Sequence, residues 1–247
     1  MVPNSLQSNL TYLTSDLQSD TLVPIPGPAS SAIAMGPDLI VRMTRAADHD
    51  TWFDSRGRPP ILHRLIDGEL AWSSFDYPFL THERPYWSSM VGTPFAVGGD
   101  SIYAMSGARF PATIVDGAGD TVGVIGQPSE SFRPIPVLEG GALAGPEAYG
   151  ASFGDFLASF EFIHRIDVID RHLVFTRATY DPTQGTAFRW SHTLIDLYDR
   201  HTGTGLYQDV PLPENSVVLG GGRFLYLLTN KDFPPWRIAR LRVRGSV

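Results

Sequence analysis

Asp170-Arg171-His172-Leu173-Val174-Phe175 joins a tight turn to a short run of apolar and β-branched side chains. The chain repeats this device as Gly36-Pro37-Asp38-Leu39-Ile40-Val41, Gly99-Asp100-Ser101-Ile102-Tyr103-Ala104 and Gly221-Gly222-Arg223-Phe224-Leu225-Tyr226. A turn followed by such a run is the mark of an antiparallel hairpin. A second hairpin accompanies it, a strand ending in Asp, a polar or Gly turn and a return strand. It reads Leu65-Ile66-Asp67-Gly68-Glu69-Leu70-Ala71, then Ile114-Val115-Asp116-Gly117-Ala118-Gly119-Asp120-Thr121-Val122, then Leu197-Tyr198-Asp199-Arg200-His201-Thr202-Gly203-Thr204-Gly205-Leu206. Asp and Gly at these turns supply the positive φ angles that tight hairpins demand. Their reason is geometric, not catalytic.

Two hairpins in series make a four-stranded antiparallel sheet, and that sheet repeated around an axis is a propeller blade. The sequence therefore predicts an all-β chain, residues 1–247 forming a single β-propeller or partial propeller of four to six four-stranded blades. Near the start, Tyr12 to Val23 reads as the second hairpin alone, while Ser216 to Val243 supplies the first hairpin and one further strand. The two ends are expected to complete one blade together. The repeats begin unevenly, at Asp38, Asp100, Arg171 and Arg223. A blade needs only about 40–50 residues, so segments near 76–92 and 139–160 are expected to be long loops or diverged blades. Between Phe153 and Ile166, Phe156, Leu157, Phe160 and Ile163 fit one face of a short helix; Gly154 near its start and the alternation from His164 to Val168 make a strand the alternative reading of this stretch.

Bulk composition agrees with a folded globule: 43% of the 247 residues are apolar and 18% charged, too apolar for a disordered chain. The formal charge is −7 and Lys231 is the only lysine among 19 basic residues. A net negative chain gains little from releasing counterions on nucleic acid, so no nucleic-acid partner is expected. With no cysteine there is no disulfide, thiolate metal site or thiol nucleophile. The start, Met1-Val2-Pro3-Asn4-Ser5-Leu6-Gln7-Ser8, has neither the basic residues nor the apolar stretch of a secretory leader. It predicts a protein that stays inside, or one whose leader has been removed. No run of about 18–20 apolar residues is present to span a membrane.

The C-terminal part carries a resemblance. Ser191-His192-Thr193-Leu194-Ile195-Asp196-Leu197-Tyr198-Asp199-Arg200-His201-Thr202-Gly203, Val210-Pro211-Leu212-Pro213, Leu219-Gly220-Gly221-Gly222-Arg223-Phe224-Leu225-Tyr226 and Pro234-Pro235-Trp236-Arg237-Ile238 resemble the closing blades of the six-bladed β-propeller superfamily of NHL-like and TolB-like bacterial proteins. The likeness covers residues 160–247 best and 30–138 more weakly, and the chain looks shortened at its N-terminal side. These motifs are structural and imply no active site; members of the group are often exported.

Residues with chemical character are scattered. Gly150-Ala151-Ser152-Phe153-Gly154 matches the nucleophile elbow of serine hydrolases, but it is preceded by Gly145-Pro146-Glu147-Ala148-Tyr149, not the buried parallel strand an elbow requires. His82-Glu83-Arg84-Pro85-Tyr86 opens like the helical zinc motif, yet Tyr86 stands where the second His must be and Pro85 breaks the helix. Asp48, Asp50 and Asp54 ahead of Gly57 depart from the calcium-loop spacing. Glu161, Asp167 and Asp170 are the carboxylates a central-channel metal site would draw on, and equally plain turn or rim residues. No cofactor is expected.

Binding character is stronger. Tyr77, Phe79, Tyr86 and Trp87 gather in one inserted segment, and Phe233 and Trp236 flank a second aromatic loop. Aromatics of this kind anchor protein interfaces or pack between blades. Arg240, Arg242 and Arg244 alternate with Leu241 and Val243, so one strand should turn a basic row to solvent, suited to an acidic partner or a peripheral membrane contact. The sequence predicts a non-catalytic protein-binding scaffold, an accessory subunit of a larger complex. Its alternatives are a metal-dependent hydrolase of the lactonase or esterase type with a central-channel site, and a small-ligand or glycan binder.

Overall fold

Each predicted hairpin turn is tight because its residues reach backbone angles that others avoid. Asp67 and Gly68 adopt φ of 52° and 84°, and Gly36, Gly99 and Asp170 also lie at positive φ. Asp116 closes its turn from the side chain, Oδ1 accepting from the backbone N–H of Ala118 at 2.9 Å and of Asp120 at 3.0 Å. Asp199 does the same with His201 at 2.9 Å and Thr202 at 3.2 Å. An aspartate binding its own turn frees the backbone from needing water there.

A computed structural model describes residues 2–3, 9–13, 19–24, 29–43, 60–76, 92–181, 190–214, 216–221, 224–229, 235 and 237–241. Five antiparallel sheets follow one another along the chain. The first holds β1 (Val2–Pro3), β2 (Asn9–Leu13) and β3 (Ser19–Pro24). The second holds β4 (Ala29–Met35), β5 (Asp38–Met43), β6 (Pro60–Ile66) and β7 (Glu69–Asp76). The third holds β8 (Phe95–Gly98), β9 (Ser101–Ala104), β10 (Ala112–Val115) and β11 (Thr121–Ile125). The fourth holds β12 (Glu161–Ile169), β13 (His172–Tyr180), β14 (Trp190–Asp199) and β15 (Gly205–Pro211), and the fifth β16 (Val217–Gly221), β17 (Phe224–Thr229) and β18 (Arg237–Leu241). Strands pair strictly in chain order within each sheet. The hairpin predicted from Tyr12 to Val23 is β2–β3, which pairs with β1; β16, β17 and β18 pair with one another.

Successive sheets touch through their first strands, β1 with β4, β4 with β8, β8 with β12 and β12 with β16, which is the arrangement of propeller blades. A blade between two others must be apolar on both faces, and β13 shows how one strand achieves this. Leu173 and Phe175 point into the third sheet, packing with Tyr103, Ala112 and Ile125. Val174 points the other way, onto Val218, Leu225 and Leu227 of the fifth. The run Leu173-Val174-Phe175 is therefore continuous rather than alternating, and each fully buried side chain of this size contributes about 1.5–3 kcal/mol. Between the second and third sheets the packing is partly polar: Trp72 Nε1 donates to the Gly117 carbonyl at 3.0 Å and Ser74 Oγ to that of Gly119 at 2.8 Å. Arg64 joins Asp38 and the same Gly117 carbonyl.

One buried histidine makes this fold acid-sensitive. His63 on β6 is 6% exposed, its Nδ1 lies 2.8 Å from Ser73 Oγ, and its Nε2 is buried with no partner. Burial pushes its pKa from 6.5 down to about 4. Below 6.5 the unfolded chain takes up a proton that the folded one refuses, so stability is complete above that pH and falls as pH drops towards 4. At 1.36 kcal/mol per pKa unit the loss reaches about 3 kcal/mol. Urea midpoints taken from pH 7 to 4.5 should fall more steeply for the parent protein than for His63→Gln; equal slopes would remove His63 as the cause.

Candidate functional site

Up-and-down connectivity sorts the connections by end. Turns from first to second and from third to fourth strand lie at one end of the blades, and all others at the opposite end. Among the described residues the first group is short: 36–37, 67–68, 99–100, 116–120, 170–171 and 200–204. Tyr77, Phe79, Tyr86, Trp87, Phe233 and Trp236, the aromatic residues singled out in the sequence, lie outside the described residues. The second group includes 105–111 and 126–160, so the longest described connection lies at that end.

Residues 126–160 build a roof over this end. Val137 bridges Leu143 across a turn in which Gly140 and Gly141 take φ of 91° and 90°. A 3-10 turn, Pro146–Ala148, and helix α1, Phe153–Ala158, follow. Ile135, Leu143, Ala144, Phe156, Leu157 and Phe160 form a core with Ile61 of the second sheet, Ala108 in the β9–β10 connection of the third and Phe162 of the fourth. The insertion is anchored on three blades at once. Its outer surface nevertheless carries Leu138, Tyr149 and Phe153, exposed by 37%, 51% and 42%. Tyr149 is held in place from beneath, its ring centroid 5.4 Å from Phe156 and 5.9 Å from Phe160.

A buried charge cluster fastens the base of the roof. Arg177, in the middle of β13 and fully buried, donates from Nε to Asp196 at 2.8 Å and from its two terminal nitrogens to Glu161 and Asp209. Asp209 also accepts from Ser129 Oγ at 2.7 Å and Ser131 Oγ at 2.6 Å, both on the insertion. Asp209 N–H donates to Asp196 at 2.8 Å, and Glu161 N–H to the Arg133 carbonyl at 2.9 Å. Burial opposes the Arg177 charge, but the hydrogen bond and field of Asp196, with the fields of Glu161 and Asp209, hold its pKa above the ordinary value. Burial also opposes the Asp209 carboxylate, while Ser131, Ser129 and Arg177 together keep its pKa below the usual carboxylate range. One guanidinium thus joins three carboxylates from three strands and ties the blade to the insertion.

The remaining candidates separate. Ser152 caps α1: its Oγ accepts from Asp155 N–H at 3.2 Å and donates to Asp155 Oδ2 at 2.6 Å, so the apparent elbow is a helix start. Glu161 is taken by Arg177 and Asp167 by Arg165, at 2.6 and 2.8 Å, while Asp170 sits in the β12–β13 turn at φ 55°. Among the described residues no three His, Cys, Asp or Glu side chains come together as metal ligands. His82, Glu83, Asp48, Asp50 and Asp54 lie outside them, as do Arg242 and Arg244. Arg240 is exposed on β18, its guanidinium 4.5 Å over the Phe224 ring. Sequence reasoning missed Leu138, Tyr149, Phe153 and Arg177. The signal for the last was present: a lone charge in the apolar run from Leu173 to Ala178.

No known family profile matches the chain, and no curated protein matches it. Among solved structures it is similar to a protein from Bacteroides fragilis described as exported, with a TM-score of 0.55 and 12% identity over 92% of this chain and 62% of that one. It is also similar to BamB from Moraxella catarrhalis, at a TM-score of 0.34 and 13% identity over 97% of this chain and 72% of that one. Apo AztD from Citrobacter koseri follows, at 0.37 and 10% over 91% and 61%. The chain spans 62% of the length of the Bacteroides protein. No helix among the described residues is long and apolar enough to cross a membrane. What the geometry and the first likeness establish together is the fold: an all-β propeller of antiparallel blades.

Proposed function

We propose that this chain is a protein-binding scaffold, an accessory subunit of a larger assembly, and that it docks its partner on the end that the insertion 126–160 covers. One observation carries the reading: the insertion 126–160 buries a core of its own against three blades and still presents Leu138, Tyr149 and Phe153 outward. A rigid aromatic pair on a firmly seated platform suits an interface anchor, because little side-chain entropy remains to be lost on binding.

The test is affinity capture from extracts of the source cells, read by quantitative mass spectrometry. Tyr149→Ser with Phe153→Ser should lower recovery of the partner about tenfold or more, the loss expected of anchor residues. Leu206→Ser with Tyr207→Ser, on the exposed outer strand β15, should leave it unchanged. Recovery of the parent protein alone, or equal recovery with both pairs, would overturn the assignment.

A further inference from the structure

The insertion 126–160 carries charge of one sign around its exposed apolar side chains. It holds Glu130, Glu139, Glu147 and Asp155 against Arg133 alone, a net charge of −3, where the whole chain of 247 residues carries −7. All five of these side chains are exposed. Glu139 follows Leu138 in the turn that Val137 and Leu143 close, Glu147 stands two residues before Tyr149, and Asp155 two after Phe153. Each exposed apolar side chain therefore has a carboxylate close to it along the chain. We propose that this surface receives a basic amphipathic helix of another protein, which sets its apolar side chains on Leu138, Tyr149 and Phe153 and turns Lys and Arg towards the carboxylates. This rests on the docking reading above and goes further by naming the chemistry of what docks.

The backbone of the insertion decides between a helix and an extended segment. Leu138 N–H donates to the Ala142 carbonyl and Ala144 N–H to that of Pro136, both at 2.8 Å, and Tyr149 N–H to that of Pro146 at 3.0 Å. No strand lies between Ile125 and Glu161, and the bridge from Val137 to Leu143 is already paired. An added strand would find no ladder to join. A partner is therefore gripped by side chains and must satisfy its own main chain, which a helix does. Charge decides what the helix carries. Lys and Arg on its polar face are drawn to the carboxylates, an attraction that steers encounter and weakens with salt. A second copy of this surface, or a membrane of anionic lipid, would bring negative charge against negative charge.

The experiment uses the whole chain and three labelled helical peptides: one with Leu at every third or fourth position and Lys between, the same with Glu for Lys, and the Lys peptide with Ser for Leu. Fluorescence anisotropy gives the affinities, and amide hydrogen exchange over residues 126–160 gives the place. The Lys–Leu peptide should bind roughly tenfold tighter than either of the others and slow exchange in the insertion. Tyr149→Ser with Phe153→Ser should weaken it about tenfold. Glu139→Gln, Glu147→Gln and Asp155→Asn together should weaken it about fivefold and flatten its salt dependence. Asp100→Asn, Asp120→Asn and Asp170→Asn remove as much charge from exposed turns at the opposite end and should change it by less than about twofold. Equal binding of the Lys and Glu peptides, equal losses from the two sets of neutralised carboxylates, or pelleting of the protein with vesicles of phosphatidylcholine and phosphatidylglycerol would overturn the proposal. If capture from extracts then still depends on Tyr149 and Phe153, the docking surface stands and its basic partner falls; if it does not, both fall.

Discussion

Arg177→Leu should cost on the order of 3–5 kcal/mol and leave much of the protein unfolded at neutral pH. The substitution removes the cation that joins Glu161, Asp196 and Asp209, and the first two of these carboxylates are buried. A buried ion pair is weak evidence of net stability, but deleting one partner strands the others without water or counterion. Here Glu161 and Asp196 are stranded, while Asp209 keeps Ser129, Ser131 and partial exposure. Adding Glu161→Gln and Asp196→Asn should return part of the loss, because neutral amides bear burial better. Urea midpoints at pH 7 decide the matter. A variant within about 1 kcal/mol of the parent, comparable to a surface pair, would mean that the cluster holds nothing together.

Gly107→Ala should be nearly as damaging for a steric reason. A Cβ at this position would sit 2.7 Å from the Ile163 carbonyl oxygen and 2.8 Å from that of Gly92. Both belong to backbone that Gly107 itself binds, its N–H donating to Gly92 at 2.7 Å and its carbonyl accepting from Ile163 at 2.7 Å. Neither atom can swing aside as a flexible side chain would. The strand β12, which the insertion 126–160 feeds, must shift, and overpacking of this kind costs about 1–3 kcal/mol. Gly117→Ala is the control, since its Cβ would meet the Arg64 side chain at 3.5 Å and the Asp100 carbonyl oxygen at 4.0 Å, both ordinary contacts. Loss of more than about 1 kcal/mol in the control, or none in Gly107→Ala, would refute the steric argument. Reduced partner capture by Gly107→Ala at a temperature where it remains folded would tie the seat of the insertion to binding.

The hairpins were legible because their cause is local. Asp67-Gly68 needs only its own φ angles, and Asp116 and Asp199 bind backbone atoms within four residues. The window from Phe153 to Ile166 fitted a helix and a strand alike, and the structure divides it, a helix over Phe153–Ala158 and a strand from Glu161. The charge cluster was not legible. Arg177 meets Glu161, Asp196, Asp209 and Ser129 from segments far apart in the chain, and no spacing rule connects such positions.

Taken alone, then, the amino-acid order determined the antiparallel all-β architecture, the turn positions and the absence of thiol chemistry, because each depends on neighbours or on composition. Tertiary structure decided that the insertion 126–160 is seated on three blades, that Tyr149 and Phe153 stay exposed while Phe156 and Phe160 are covered, and that Ser152 starts a helix. Burial and pairing across blades are properties of distant segments brought into contact, and the order of residues within any one segment does not contain them.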